Sequence, residues 1–498
     1  MKLLLTLGHN ASAILVQGEN IIIGYEEERL TKVKSDSSFP VLSINRIIEE
    51  YPDARHDVKD IFISHWFWDF DLKENKYYRP KYLACNFPNA KITSLDKNFT
   101  HHDAHANSVW NYLDGDKEGL TLVLDGFGNY GECMSTYLNG QLQDRCFDLM
   151  GSLGLMYQYA IGYLGMKENQ DEYKLLGYEQ QAPDSFKKEI ETKVEKVSNF
   201  VLSKLFHGNV EDPYENRYME GELHYVRNHW YEVFKSIDDF DKKDRPRIAY
   251  FVQNVLENVV KKIILKYESK NVKVSGGVFY NVKLNNMIVR MVDLFEANPL
   301  SGDQGTALGM TNVKYDHLFF GTRHESYYRE IDHVRVIEEI EKNGFCNIMS
   351  GSMEFGPRAL CNTTCLALPT LEMVEKINTM NGRDTVMPMA PVVTKEYADE
   401  NFKDTHKVKK SKLFMIIAFD YSKEMSDDIR GAAHIDKDRG VWTGRFQINR
   451  NKAIGKVLEH FGGILINTSL NAHGQPIIYD ENDFDTMLRI QSEQNDVE

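Results

Sequence analysis

Residues 119–144 read "GLTLVLDGFGNYGECMSTYLNGQLQD", and residues 2–28, "KLLLTLGHNASAILVQGENIIIGYEEE", use the same grammar. In each, a run of apolar β-formers ends at a glycine turn, a second strand follows, and a further turn sends the chain back. The first copy turns at Gly8-His9-Asn10 and again at Gly18-Glu19-Asn20. The second ends its strand at Asp125, enters a glycine turn, and turns again at Asn139-Gly140. A strand–glycine turn–strand unit used twice can clamp a nucleotide phosphate chain from both sides. Backbone N–H groups in such turns bind phosphate oxygens, and an acidic residue at the strand end can hold a metal. Two unrelated hairpins would spell the same letters; we read an internal structural repeat.

Between the two copies lies "FTHHDAHANS" (99–108), with His101 and His105 four apart. On a helix that spacing stacks both imidazoles on one face, as a shared metal ion requires. A polar helix start whose histidines only hydrogen-bond has the same spacing. Downstream, Val252, Val255, Leu256, Val259, Val260, Ile263 and Ile264 predict a core helix within 248–267. It leads into "NVKVSGGVFYNVKLNN" (271–286), a strand, the pair Gly276-Gly277, and a helix; a glycine pair there lets a flat or anionic ligand approach. "NPLSGDQGTALG" (298–309) then sets Asp303 between Gly302 and Gly305. The charged, helical-looking stretch 181–247 is expected to be an insertion covering the active cleft. Mixed aromatics and charges without periodicity over 313–340 suit an interdomain passage, dividing the chain into 1–325 and 326–498.

At 498 residues the chain exceeds what one hydrophobic core serves, which agrees with two domains. Its 42% hydrophobic and 27% charged content are ordinary for a globular protein. Fifty-nine basic against 74 acidic side chains leave −15, no electrostatic footprint for duplex nucleic acid or an anionic membrane. One basic cleft is still compatible with that total. Cys85, Cys133, Cys146, Cys346, Cys361 and Cys365 are scattered. Cys361 and Cys365 lack a CxxC partner set, so no structural zinc site is expected. Few cysteines suit a reducing cytoplasm. The apolar stretch before Gly8 is too short for a signal-peptide core, and no apolar run approaches membrane-spanning length. The expectation is a cytoplasmic protein.

Taken in order, "EEER" (26–29), "FP" (39–40), "HHDAHA" (101–106), "LDGFG" (124–128), "SLGLMYQYAIGYLG" (152–165) and "EYKLLG" (172–177) form a specific series. It continues with "SGGVFYN" (275–281), "GDQGTALG" (302–309), "MEFGPRAL" (353–360) and "INTSLN" (466–471). This series resembles the O-carbamoyltransferases of antibiotic and nodulation-factor biosynthesis over nearly the whole chain. The resemblance implies an α/β protein with an actin-like ATPase (duplicated ribonuclease H-like) domain over 1–325. That domain is related to the threonylcarbamoyl transferases that modify transfer RNA. Over 326–498 it implies a smaller α/β domain like that of the enzymes making threonylcarbamoyl-adenylate. In the family, the C-terminal site makes carbamoyl-adenylate from carbamoyl phosphate and ATP. The N-terminal site then moves the carbamoyl group to an acceptor hydroxyl.

The resemblance also implies residue roles. His101 and His105, completed by Asp125 and Asp303, would be metal ligands, and His102 would face away. Two imidazoles with two carboxylates suit iron, manganese or zinc better than magnesium, which is left for the nucleotide. Gly126, Gly128, Gly276, Gly277, Asn281 and Gly302 are expected to wrap the nucleotide. His9 is expected to touch the carbamoyl group or take the acceptor's proton, since histidine ordinarily titrates near neutrality; a structural histidine is the alternative. Arg29 and Lys34 would bind acceptor or phosphate, or be solvated charges. Glu172 and Lys174 match the family without an assigned role. Arg358, a candidate catalytic residue, Arg383 and Arg445 would grip carbamoyl phosphate through planar guanidinium forks. Asn467, Ser469 and Asn471 would add neutral hydrogen bonds.

The chain departs from the family pattern in three places. Cys361-Asn362-Thr363-Thr364 stands where glycine, asparagine, arginine and serine are usual. Asn381 replaces a lysine, and Met387 an arginine. Three lost cations, at about 1.5–3 kcal/mol per charged hydrogen bond, imply a rearranged or weaker donor pocket. A small-metabolite kinase on the same core, or a nucleotide-binding partner protein with a decayed donor site, are the alternatives. The sequence names neither the acceptor (a sugar, an antibiotic or a modified nucleotide) nor the oligomeric state.

Overall fold

The structure, a computed structural model, describes residues 1–72, 75–208, 213–214, 219–238, 242–324, 331–383 and 389–495. The expected domain boundary at 325/326 and Met387 lie outside the described residues.

The first sheet holds β1 (Lys2–Leu7), β2 (Ser12–Gln17), β3 (Asn20–Glu26), β4 (Asp60–His65) and β5 (Lys91–Ser94), in the order β3-β2-β1-β4-β5. The first three strands pair antiparallel, while β4 and β5 join parallel. The second sheet holds β6 (Leu120–Leu124), β7 (Met134–Leu138), β8 (Gln141–Cys146), β9 (Asn271–Ser275) and β10 (Leu294–Ala297), in the order β10-β9-β6-β7-β8. Read from β8, this is the first order again, with the same strand directions. The repeat therefore extends beyond two hairpins to a whole five-stranded unit. This is the duplicated ribonuclease H-like topology of the actin-like fold.

Local chemistry explains the arrangement. Leu3, Leu4, Leu5 and Leu7 of β1 are all buried, as a central strand covered on both faces requires. A parallel partner needs a crossover. Helix Val41–Glu50 supplies part of the one between β3 and β4 and buries Ile44, Ile47 and Ile48. In the second half, the helix predicted within 248–267 spans Arg245–Tyr267 and buries all seven apolar residues named above. It starts at Asp244, whose side chain accepts from the Arg247 N–H. The stretch expected to cover the cleft is different. Its helices Asp184–His207 and Met219–Lys235 pack along Arg245–Tyr267, the β8 edge and helix Leu153–Tyr163. Among its described residues, Tyr214 meets the rings of Phe70 and Tyr130 beside the β6–β7 turn.

The C-terminal domain centres on five strands in the order Phe345–Met349, Thr363–Ala367, Ile464–Ser469, Ala390–Val393, Gln447–Ile448. All pair antiparallel except the last two, which are parallel. Helices His333–Asn343 and Lys452–His460 bury Val336, Ile340, Ile454, Val457 and Leu458 against it. The two domains share one apolar core that includes Leu284, Leu300, Leu360 and Phe446. Polar contacts reinforce the join: Ser411 N–H donates to the Glu296 carboxylate at 2.9 Å, and Asn285 Nδ2 donates to the Ile416 carbonyl at 2.7 Å.

Candidate active site

A capping box sets the start of the histidine helix, His101–Tyr112. Thr100 Oγ1 accepts from Asp103 N–H, and Asp103 Oδ2 accepts from Thr100 N–H. The other Asp103 oxygen accepts from Tyr137 Oη and Arg145 Nη2, each at 2.6 Å, anchoring this end to β7 and β8. His101 and His105 therefore stand one turn apart on a fixed helix. Asp125 extends from the end of β6, and Asp303 opens the turn after β10.

The donor atoms of these four residues all lie within 4.8 Å of one another. His101 Nε2 is 3.1 Å from His105 Nε2, 3.5 Å from Asp125 Oδ2 and 3.3 Å from Asp303 Oδ1. His105 Nε2 is 3.1 Å from Asp125 Oδ2 and 3.6 Å from Asp303 Oδ1. A tetrahedral ion with donors at about 2.1 Å spaces them about 3.4 Å apart, so the residues present fit a metal. The far ring nitrogens agree. His101 Nδ1 lies 3.2 Å from the His65 carbonyl and His105 Nδ1 lies 3.4 Å from Ser275 Oγ. A proton on each Nδ1 leaves two Nε2 lone pairs and two carboxylates converging, a set that needs a positive charge at its centre. Burial opposes charge on His101, but Asp303 and Asp125 outweigh it and lift its pKa to about 10. His102 points elsewhere, to Ser135 Oγ at 3.2 Å and towards Glu132.

The predicted glycines border this cluster. A Cβ on Gly128 would sit 2.8 Å from the His101 side chain, and one on Gly276 (φ +101°) would collide with the Leu124 carbonyl. Their smallness lets the β6 and β9 turns close on the ligands. Gly126 N–H donates to Asp125 Oδ1 at 2.7 Å, a Cβ on Gly277 would lie 3.0 Å from that same oxygen, and Gly302 packs on Tyr280. Asn281 Oδ1 caps the following helix through Leu284 N–H at 2.9 Å and its Nδ2 donates to Gln253 at 2.8 Å. His9 lies half-buried in the β1–β2 turn. Its neighbour Asn10 donates to Gln304, next to Asp303, at 3.3 Å.

A second feature lies at the domain boundary. Burial and neighbouring Arg358 push the Arg445 guanidinium well below its ordinary range, and no hydrogen bond or ion pair holds it among the described residues. Arg358 is also pushed down by burial; its Nε is buried without a partner, and its guanidinium lies 6.0 Å from the Tyr280 ring. Burial lowers Lys34 too; Glu28 and Asp171 counter this, whereas Arg383 and Arg358 add to it. Lys34 of the first domain thus feels Arg358 and Arg383 of the second, and Arg358 in turn neighbours Arg445. Unpaired, desolvated cations are costly unless an anion answers them. Arg445, Lys283, His434 and Thr443 also line a partly open interdomain cavity of about 60 Å³.

Several expected phosphate contacts have other duties. Arg383 donates to Thr468 Oγ1 at 2.6 Å and to Asn471 Oδ1 at 3.0 Å, so it braces the loop carrying Ser469 and Asn471. Asn467 donates to the Ala359 carbonyl and Gln447, which helps fix the Arg358 loop. Arg29 is buried against Glu26 and the Gly356 carbonyl, which removes it from the acceptor and phosphate candidates. Lys174 pairs with Asp171 at 2.9 Å. Thr363 and Asn381, standing where cations were expected, are both buried. Sequence reasoning missed His65 and Ser275. Both end strands, β4 and β9, and open α/β sheets bind ligands at the carboxyl ends of strands.

Comparison with known proteins agrees over most of the chain. Residues 90–311 match the model of the carbamoyltransferase N-terminus and residues 337–494 that of the carbamoyltransferase C-terminus. An uncharacterized protein of Methanocaldococcus jannaschii is 28% identical over 96% of this chain and 94% of its own length. The nodulation protein NolNO of Sinorhizobium fredii is 25% identical over 95% of this chain and 75% of its own. The 3'-hydroxymethylcephem-O-carbamoyltransferase of Amycolatopsis lactamdurans is 28% identical over 42% and 44%. With both halves of the family present in order on one chain, this protein belongs to the carbamoyltransferase family and is a carbamoyltransferase.

Proposed function

We propose that the chain is an ATP-dependent O-carbamoyltransferase with two half-reactions. In the first, carbamoyl phosphate gives up its phosphate to water and the resulting carbamate oxygen attacks the α-phosphorus of ATP, expelling pyrophosphate. In the second, an acceptor hydroxyl attacks the carbamoyl carbon and AMP departs. The observation that carries this reading is the set of cations Lys34, Arg358, Arg383 and Arg445 at the domain boundary, with Arg358 facing Tyr280, which Gln304 ties to the two-histidine, two-carboxylate cluster. A kinase accounts for the glycine turns but leaves the histidine pair without a task.

In this reading Arg358 and Arg445 bind the phosphates of donor and ATP, and Arg383 keeps the Ser469–Asn471 loop in reach of them. The β1–β2 turn presents backbone N–H groups to the adenylate, and the glycines of the β6–β7 turn give it room. His9 takes the proton of the acceptor hydroxyl. His101, His105, Asp125 and Asp303 would hold an iron, manganese or zinc ion, which when bound polarises a carbonyl or phosphoryl oxygen. Incubation with ATP, magnesium, carbamoyl phosphate and a panel of candidate alcohols tests the reading. Pyrophosphate, AMP and a carbamoylated alcohol by mass spectrometry are expected. ADP as the sole nucleotide product would replace this function with that of a kinase.

A further inference from the structure

The four residues of "EEER" (26–29) follow one another at the end of β3 and divide into two that hold neighbouring segments of their own domain and two that reach across to the other. Glu27 accepts from Leu42 N–H, Ser43 N–H and Ser43 Oγ, capping the next helix. Glu28 Oε2 accepts from Ser35 N–H at 2.7 Å, tying down the loop that carries Lys34. Glu26 and Arg29 turn to the other domain. Arg29 Nη2 donates to the Gly356 carbonyl at 2.6 Å, and Gly356 N–H donates to Glu26 Oε2 at 2.9 Å. Arg29 Nε and Nη2 both reach the same Glu26 oxygen at 3.2 Å. The pair is 2% and 5% exposed. Both backbone groups of one C-terminal residue are thus gripped by one buried ion pair of the N-terminal domain.

The gripped residue opens the loop that carries Arg358. Gly356 has φ +103° and sits where a Cβ would meet Leu300 at 2.7 Å, so it lies against the segment leading to Asp303. Beyond it, Glu354 Oε1 gathers the N–H groups of Leu360, Asn362 and Thr363 at 2.7, 2.8 and 3.1 Å, so the loop has little slack. Arg358 emerges facing Tyr280 of the transfer domain. Tyr280 Oη in turn accepts from Gln304, the neighbour of Asp303, at 2.8 Å.

We propose that Glu26 and Arg29 are positioning residues: a cross-domain latch that places Arg358 in the donor site and keeps that site in register with the transfer site. This rests on the reading of Arg358 as a phosphate contact. The pair touches no substrate and acts through the Gly356 backbone. Neutralising both partners together, in Glu26→Gln/Arg29→Met, avoids leaving either of the two alone, while Glu28, 3.8 Å from Arg29 Nε, keeps its bond from Ser35 N–H. Arg29→Lys keeps the charge but cannot make the paired contacts to Glu26 and the Gly356 carbonyl.

The test is a double-mutant cycle on pyrophosphate release, with carbamoyl phosphate as the titrated substrate. The proteins are wild type, Glu26→Gln/Arg29→Met, Arg358→Ala and the combined variant, with Arg29→Lys run in parallel and thermal melts as controls. Misplacing a binding group by about 1 Å costs on the order of 10²-fold, so either latch variant should raise KM for carbamoyl phosphate about ten- to a hundredfold. In the combined variant the latch change should add nothing to Arg358→Ala, because the group it positions is gone. Additive losses, or an unchanged KM in a folded Arg29→Lys protein, would overturn the latch. An unchanged KM in Arg358→Ala alone would remove the phosphate contact itself, and the latch would fall with it by a distinguishable route.

Discussion

Replacing Asp303 by asparagine removes one of four converging donors and leaves the local fold intact. The backbone carbonyl of residue 303 still accepts from Thr306 Oγ1 at 2.6 Å, and only the side-chain approaches to His101 and His105 at 3.3 and 3.6 Å change. Tight four-donor sites have apparent binding free energies of about 10–16 kcal/mol, or roughly 3 kcal/mol per donor. Asp303→Asn should therefore weaken Kd for the metal about 10²-fold. Ser275→Ala removes only the 3.4 Å tether of His105 Nδ1. Losses from such outer partners run about 10- to 100-fold, and a contact this long belongs at the lower end. His102→Ala, facing Ser135 and Glu132, should leave Kd unchanged. Competition titrations against a chromophoric chelator with manganese, iron(II) and zinc give all three values, with circular dichroism to confirm folding. Equal Kd for wild type and Asp303→Asn, or a larger loss in Ser275→Ala than in Asp303→Asn, would refute the assignment.

Three further outcomes are expected. Arg445→Gln removes a desolvated guanidinium with no protein partner among the described residues, so Tm should hold or rise. KM for carbamoyl phosphate should rise about 10- to 100-fold, at roughly 1.5–3 kcal/mol per charged hydrogen bond. Asn381→Lys restores a family cation at a position that is 1% exposed and hydrogen-bonded to Gln491 at 3.0 Å. It should cost about 1–3 kcal/mol of stability without lowering KM, as melts and titrations would show. Burial pushes the Glu172 carboxyl up to about 7. An acid whose folded pKa is raised contributes stability that is complete below about pH 4.5 and is lost as pH rises through about 7. Limited proteolysis within 167–174 should accelerate over that window, and Glu172→Gln should flatten the dependence.

How much of this was legible depended on the distance over which each residue acts. The duplicated grammar, the His101/His105 spacing and the core helix are local patterns, and the structure shows the corresponding repeat, cluster and helix where the letters pointed. Asp125 and Asp303 required the family resemblance, because nothing near either residue says that β6 and the β10 turn meet. The amides of Asn281 and Asn467 illustrate a different limit. A turn asparagine reads the same whether it faces a ligand or caps a helix, and only the partner, Leu284 N–H or the Ala359 carbonyl, distinguishes them. Arg29 was unreadable as a latch because its partner lies 327 residues away and offers only backbone. Cys361 carries a trace of the departure: its φ of +79° belongs to the glycine that the family pattern has there, so the backbone keeps a conformation its side chain no longer favours.

The four donors are contributed by three stretches of chain, and only the two histidines are neighbours in sequence. During synthesis the histidine pair and Asp125 leave the ribosome long before Asp303, so the fourth donor of the cluster arrives late. An ion held by all four residues, as proposed above, would not meet its complete site during the early collapse. That site would be complete only after β10 has docked beside β9 and the second half has closed. Metallation would then be the last event of maturation rather than the first, and a cell starved of the metal would accumulate folded, empty enzyme that an influx of the ion could activate without new translation.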